Sequence, residues 1–471
     1  MEELIHRARP AFGSEELWRR SRRHLLAQLV CFGRHTISGL LRAQNRHRQD
    51  WSADYRLYSR ERFDEQAVFA GLRQQLEELL PARAPLVAAM DDSLLRKSGR
   101  KIHGVRYQRD PLSPPFAVNL VRGLRVLQIS AALPQGRGRA RLVPVHFEHA
   151  VLPPKPGRKA SAEELQHYQR LRAERNINRV GGQRLAELRA QMDQSGSAAR
   201  RLIVSVDGRF TNATVFKAIP QRTVLIGHLR KDAVLHYPPD QQRLRGRKRK
   251  YGPRAPTPEQ LLKDDTVPWQ TVRAFACGKV HSFQVKCLRG LVLRMDGAAR
   301  VVQMMVIKPL GYRLTQGGKL LYRQPAFLVC TDPDLPLEQW LQFFLWRWDI
   351  EVNFRDEKTI LGVGQAQVRI AASNQHAPAL AVAAYALLLL ASVHAYGKTG
   401  APDRLHSPKW YRRKARQRAT TNELLNQLRF ELWGQCLSAK HFSDFSSQSP
   451  PDQNPEKMEL TLASAAFMSV R

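Results

Sequence analysis

The sequence predicts an α/β protein in which a mixed sheet is preceded by a helical N-terminal domain and interrupted by a β-rich insertion. Three observations carry that prediction. Residues 86–90 are a short apolar run ending in Asp91-Asp92-Ser93, which reads as a buried strand delivering carboxylates at its C-terminal end. Residues 201–208, Arg-Leu-Ile-Val-Ser-Val-Asp-Gly, repeat the arrangement and bring up Asp207. Residues 345–358 have helical spacing, with Phe344, Arg347 and Glu351 at intervals of three and four and Lys358 seven further on. These four side chains share one stripe. Trp346, Ile350 and Phe354 form an apolar back that packs the helix down and leaves the polar stripe over a cleft.

At 471 residues the chain is too long for one ordinary core, and two or three domains are expected. The net charge of +35, from 76 basic and 41 acidic side chains, exceeds what solubility requires and points to a polyanionic partner, nucleic acid first. A membrane partner is not expected, because the chain shows no signal-peptide pattern and no apolar run of about 18 residues. Residues 377–393 come closest, yet Pro378, Tyr385 and the preceding Asn374-Gln375-His376 mark a buried core helix. Five cysteines (Cys31, Cys277, Cys287, Cys330 and Cys436) lie far apart with no Cys-x-x-Cys pair. That argues against a zinc site or a disulfide framework and fits a reducing cytoplasm.

In chain order, residues 1–82 read as a helical DNA-binding domain. Ser14 caps a helix whose first turn holds Glu15 and Glu16 and whose apolar positions are Leu17, Leu25, Leu29 and Phe32. A second helix follows Gly33. A third opens near Ser59, repeats Val68, Leu72, Leu76 and Leu79, and stops at Pro81. Arg19, Arg20, Arg22, Arg23, Arg34, Arg42, Arg46 and Arg48 on the first two exceed what a solvated face requires and suit phosphate.

Residues 83–215 form the first part of the sheet domain. After the Asp91 strand come strands near 116–121 and 126–133 joined by a hairpin at Gly123, then a charged helical segment from Ser161 to about Met192 broken at Gly181-Gly182, then the Asp207 strand. Residues 216–324 turn to strand-like alternation at 223–229, 271–276, 281–287 and 301–307 and constitute the insertion. Its cationic run at 242–252, with Arg245, Arg247, Lys248, Arg249 and Lys250, is a loop for phosphate that orders on binding. A strand at 326–330 opens the second part of the sheet domain, 325–400, which holds the Glu351 helix. Residues 401–441 are a basic helical region, and the Ser/Pro/Gln-rich tail 442–471 reads as disordered.

Asp91, Asp207 and Glu351 are remote in sequence but can converge at one edge of the sheet. Three converging anions repel one another, and a pair of Mg²⁺ ions supplies the charge they need, with Mn²⁺ expected to substitute. Carboxylates match hard, oxygen-preferring ions and leave coordination positions for phosphate, which is the arrangement of in-line phosphoryl displacement on two metals. Arg347 and Lys358 then hold the DNA backbone, the arginine by paired hydrogen bonds and the lysine as a point charge. Each acid alone has a plainer reading, a turn start for either aspartate and a salt bridge to Arg347 for Glu351. The strand, strand, helix order in so basic a chain favours the catalytic one.

On these residues the chain resembles the DDE transposases of bacterial insertion sequences, in the branch whose last catalytic helix carries Tyr-x2-Arg-x3-Glu-x6-Lys. Arg347, Glu351 and Lys358 fall on that signature, and Phe344 stands where the branch has tyrosine. Asp91-Asp92-Ser93 looks like the first-aspartate motif and Val206-Asp207-Gly208 like the second. The family's Asp-x-Ser/Thr pattern favours Asp91 as the first acid, with Asp92 the alternate. The resemblance covers about residues 85–369. It implies a ribonuclease H-like catalytic core that nicks the ends of a mobile element and joins its 3′-hydroxyl ends to target DNA. It also implies recognition of terminal inverted repeats by the N-terminal domain and the basic loop, a homodimer on double-stranded DNA, and a nucleoid-associated place in a bacterial cytoplasm. Members of this branch can excise through a hairpin, with an aromatic residue of the insertion stabilising a flipped base. Trp269, in Val267-Pro268-Trp269, is the candidate here, set against plain packing beside the proline. Two rivals stay open: a nuclease on the same fold that cuts without joining, and a domesticated DNA-binding protein without catalysis.

Overall fold

The apolar runs in the middle of the chain assemble into a ten-stranded mixed sheet. The computed structural model describes residues 1–438 apart from 111–112, 115, 240–248, 296–297, 314, 316 and 401–417. Arg245, Arg247 and Lys248, most of the basic stretch after residue 400 and the tail 442–471 therefore lie outside the described residues.

The centre of the sheet is parallel. Strand β1 (Leu86–Arg96) lies beside β5 (Leu202–Val206), and β5 beside β6 (Thr223–His228). Strands covered on both faces lose contact with water, which is why 86–90 and 202–206 are nearly continuous apolar runs. On the other side of β1, β3 (Leu120–Gly136) runs antiparallel and carries β2 (Arg106–Arg109) and β4 (Arg139–His149). Beyond β6 the sheet continues antiparallel through β12 (Ala326–Cys330), β9 (Ala298–Ile307), β8 (Lys279–Met295) and β7 (Gln270–Ala276). The long strands between 216 and 324 thus extend the sheet that carries the aspartates. Two short strands, β10 (Gly311–Tyr312) and β11 (Leu321–Tyr322), pair apart from it.

Helices cover both faces and complete a ribonuclease H-like α/β fold. On one face α10 (Leu337–Trp346) and α11 (Trp348–Thr359) set Trp340, Leu341, Ile350 and Phe354 against Val87, Ala89, Ile203 and Leu328. On the other, Leu86, Ala88, Met90, Val204 and Val206 join a larger core with α7 (Ile177–Gln194) and α12 (Ala371–Tyr396). By length and composition α12 could cross a bilayer, but 78% of its most apolar window is buried inside the protein.

The N-terminal helices are α1 (Glu2–His6), α2 (Glu15–Val30), α3 (Ile37–Ala43), α4 (Ser52–Ser59) and α5 (Glu65–Glu78). Ser14 Oγ accepts from Leu17 N at 3.2 Å and caps α2 as expected. The helix expected to open near Ser59 opens instead at Glu65, capped by Asp64 Oδ1 accepting from Gln66 N at 2.8 Å; Ser59 is the last residue of α4. These helices rest on α12. A buried chain of bonds runs from Asp54 to His24 at 2.9 Å, from His24 to the Tyr58 hydroxyl at 2.9 Å, and from Tyr58 O to His376 of α12 at 3.1 Å.

No hairpin forms at Gly123, which lies inside β3, where a Cβ would meet Leu95 O at 2.7 Å; the glycine permits close strand approach. The turn comes later, at Arg137 and Gly138, both with positive φ. Gly181 and Gly182 do not break the charged helix either. The break lies between α6 (Ala162–Glu174) and α7, where Asn176 caps the second helix. Helix α8 (Ala213–Ala218) packs against α7, and a Cβ on Gly182 would lie 2.6 Å from that of Ala218. A bare backbone is what that contact needs.

Candidate active site

β1 does not stop at its aspartates. It continues to Arg96 in antiparallel pairing with β3, whereas its parallel pairing with β5 ends at Met90 and Val206. Asp91 and Asp207 are therefore the next residues beyond the parallel ladder on adjacent strands. Side chains alternate between faces along a strand. Asp91 follows Val87 and Ala89, and Asp207 follows Ile203 and Ser205, onto the face that α10 and α11 cover. Ser205 ties that face down by donating its hydroxyl to Phe343 O at 3.1 Å.

Asp92 leaves the strand on the opposite side. Arg209 Nε at 3.3 Å and Arg125 Nη1 at 3.5 Å hold it there. Neither arginine was visible as a partner in the sequence, since strand pairing and the turn after Asp207 bring them in. Strand geometry turns the two side chains to opposite faces, yet Asp92, with Arg125 and Arg209, lines the same cleft as Asp91 and feels the charge of Asp207.

Glu351 comes to the same edge from α11. The helix expected over 345–358 is interrupted at Arg347, where Arg347 N bonds Phe344 O and Ile350 N bonds Arg347 O, tightening the turn between α10 and α11. From that junction Arg347 Nη1 lies 3.2 Å from Asp91 Oδ2 and 4.0 Å from Glu351 Oε1. Lys358 reaches across to β1 and donates to Ser93 Oγ. Asp91, Asp207, Glu351, Arg347 and Lys358 all line one open cleft of about 1060 Å³. Phe344 is half-buried against the apolar layer under α10, its ring centroid 5.8 Å from the Arg347 guanidinium.

Other expected contacts lie elsewhere. Trp269 is half-buried against the core, with Lys286 Nζ 4.5 Å and Lys308 Nζ 5.4 Å from its ring centroid, and does not line the cleft. Lys286 is itself fully buried and donates to Asp264 O at 2.6 Å, beyond the end of α9 (Pro258–Lys263). Arg249 and Lys250 are exposed and also outside the cleft.

The electrostatics of the cleft centre on Asp91. Burial first, and then the charge of Asp207, push its carboxyl up to about 8; Arg347 opposes the rise and Glu351 adds to it. Burial also lifts Asp92, against the pull of Arg209 and Arg125. The Lys358 ammonium is lowered by burial despite Glu357 and Glu351 nearby. A carboxylate whose charge is opposed by two neighbouring acids is short of positive charge. Three oxygen-donor side chains on one cleft, one of them so destabilised as an anion, fit a hard divalent cation. Among the described residues no three metal-ligating side chains already close around a single point; Asp91 is paired with Arg347 instead.

α11 is fixed by a second, polar stripe that the sequence reading missed. Asp349 Oδ2 accepts from Leu142 N at 2.8 Å and from Arg418 Nη2 at 2.9 Å. One turn on, Asn353 donates to Ser130 Oγ and Leu142 O, both at 3.1 Å. Another turn on, Glu357 Oε1 accepts from Gln128 Nε2 at 2.9 Å. Thr421, at the start of α13 (Thr421–Ser438), donates to Asp356 at 2.6 Å. Spacing of four gives this stripe away in retrospect, but only the β3 and β4 pairing shows that it faces protein.

Glu357 carries a testable consequence. It is 1% exposed, and burial pushes its carboxyl up to about 8 against the hydrogen bond from Gln128. Its unfolded value is about 4.3, so at neutral pH unfolding releases a proton, and stability falls as pH rises from there to the folded value. Glu357→Gln stays neutral at every pH. Its unfolding free energy relative to wild type, from urea titrations, is expected to rise between pH 5 and pH 8 by on the order of a few kcal/mol. A gap that does not change with pH would mean that Glu357 is charged in the folded protein.

A family profile described as DDE superfamily endonuclease matches residues 9–280, more than half of the chain. The match takes in both aspartates and ends ahead of α11. No curated protein matches the chain.

Proposed function

The chain belongs to the DDE superfamily endonuclease family, and from that premise we propose that it is the transposase of an insertion sequence, cutting the element's ends and joining them to target DNA. Membership implies a metal-dependent nuclease acting on DNA. The finer reading rests on one observation above the others: the parallel register that puts Asp91 beside Asp207 on the face crowned by the Glu351 helix. We assign the chain to the branch with Arg347, Glu351 and Lys358 on its last catalytic helix.

In this reading Asp91, Asp207 and Glu351 hold two Mg²⁺ ions, or Mn²⁺ in their place. Held by these three carboxylates, such ions would supply Lewis acidity for the attacking water or 3′-hydroxyl and for the leaving oxygen. Arg347 orients the Asp91 carboxylate and offers its remaining donors to the phosphate backbone, while Lys358, held by Ser93, presents a point charge. The basic residues around Arg249 and Lys250 and those of the N-terminal helices contact the terminal repeats, and two copies act together on paired ends. Trp269 already has two ammonium groups over its ring, so base stacking there requires them to move.

The test supplies DNA carrying the element's flanking repeats, a target duplex and Mg²⁺. Joined product is expected. Cut ends without joined product would favour the nuclease reading, and binding without any cleavage would favour a silent DNA-binding protein.

A further inference from the structure

The sheet edge beside the cleft is a two-stranded ribbon with an unusual surface. β2 pairs with the first residues of β3 so that Tyr107 lies opposite Arg122 and Arg109 opposite Leu120. Partners in register point the same way, and residues two apart share a face. Tyr107, Arg109, Leu120 and Arg122 therefore make one face of alternating apolar and cationic character. It is open to solvent, with Tyr107 69% and Leu120 57% exposed. An edge with that much bare apolar surface is a place for pairing or docking unless something covers it.

The chemistry of the face selects its cover. Arg122 is held from behind, donating to Ser98 O at 3.1 Å and to Gly99 O at 3.3 Å, while its Cζ stands 5.5 Å from the centroid of the Tyr107 ring. The fixed guanidinium covers one side of the tyrosine and leaves the other open to a planar group. Arg109, on the same face, also lines the cleft that holds Asp91, Asp207 and Glu351, so the ribbon surface runs into the candidate active site. With two arginines on the face and a net charge of +35 behind it, the cover that fits is a polyanion carrying planar bases.

We propose that this face binds unpaired nucleotides of a DNA strand at the mouth of the cleft, with a base stacked on Tyr107 and phosphates meeting Arg109 and Arg122. The proposal rests on the reading of the chain as a DNA-cutting enzyme and adds a contact outside the carboxylate site. Aromatic rings beside guanidinium groups hold single strands with little regard for sequence.

The test uses the full chain and two labelled probes: a blunt duplex of about 20 base pairs, and the same duplex with an unpaired thymidine flank of about five nucleotides. In anisotropy titrations wild type is expected to bind the flanked probe about tenfold more tightly than the blunt one. Tyr107→Ala is expected to lose that preference while binding the blunt probe as wild type does, and Tyr107→Phe to keep it. The exposed ring supports no core, so both variants fold. A preference that survives in Tyr107→Ala, or that wild type lacks, overturns the assignment of the ribbon alone. Failure of wild type to bind either duplex would overturn the DNA-processing reading as well.

Discussion

Asp91→Asn is expected to lower metal-dependent DNA cleavage by roughly a thousand-fold or more while leaving duplex binding unchanged. Asparagine keeps the shape of the side chain but removes the anion that a cation would meet. The same change relieves a strain of the metal-free protein, because burial and the charge of Asp207 already push this carboxyl up to about 8. Unfolding followed by heat should show both effects. Wild type gains stability on adding Mg²⁺, as any ligand bound only by the folded state provides, whereas Asp91→Asn without metal is no less stable than wild type and gains little from Mg²⁺. Cleavage within about tenfold of wild type would remove Asp91 from the site and turn attention to Asp92.

Asp349→Ala is expected to destabilise the protein by roughly 2–4 kcal/mol and to slow cleavage as well, although the residue is not part of the carboxylate cleft. Its carboxylate accepts from Leu142 N and Arg418 Nη2, and Arg418 also donates to Ala140 O at 3.0 Å. Removing it leaves the Leu142 amide without its acceptor, leaves Arg418 only Ala140 O, and frees the first turn of α11 from β4. Glu351 stands two residues further along that turn, so its placement over the aspartates should loosen. Asp349→Asn keeps an acceptor and should fall between the two. Urea unfolding and cleavage rates on the same preparations decide the matter: a stable variant with full activity would show that α11 is held in place without this anchor.

What could be read from the sequence depended on how local the signal was. The strands leading to Asp91 and Asp207 are apolar on both faces, and such runs announce themselves without knowledge of their neighbours. The Glu351 stripe was legible in part: Glu351 and Lys358 share α11, whereas Arg347 sits at the junction and Phe344 lies on α10, outside the cleft. The extension of β1 to Arg96 was hidden because residues 93–96 are buried on one side only and owe their extended form to β3, more than 25 residues away. Gly123 and Gly181-Gly182 were misread for a related reason. A glycine kept for close approach looks in sequence like a glycine kept for a turn, and only Leu95 O and Ala218 Cβ tell them apart. Arg125 and Arg209, which hold Asp92, and Gln128, Ser130 and Leu142, which hold α11, act through contacts made by the sheet.

At the centre of the proposed function is one metal-holding set, Asp91, Asp207 and Glu351, in a DNA-joining enzyme. Glu351 lies beyond the segment that the family profile matches, which makes it the sharpest probe. The decisive measurement compares wild type with Glu351→Gln for Mg²⁺-dependent cleavage and joining on DNA carrying the flanking repeats. Wild type is expected to cleave the ends and transfer strands, and the variant to lose both with repeat binding intact. A variant that cuts and joins as well as wild type would leave Glu351 as no more than a neighbour of Arg347 and would contradict the proposed site.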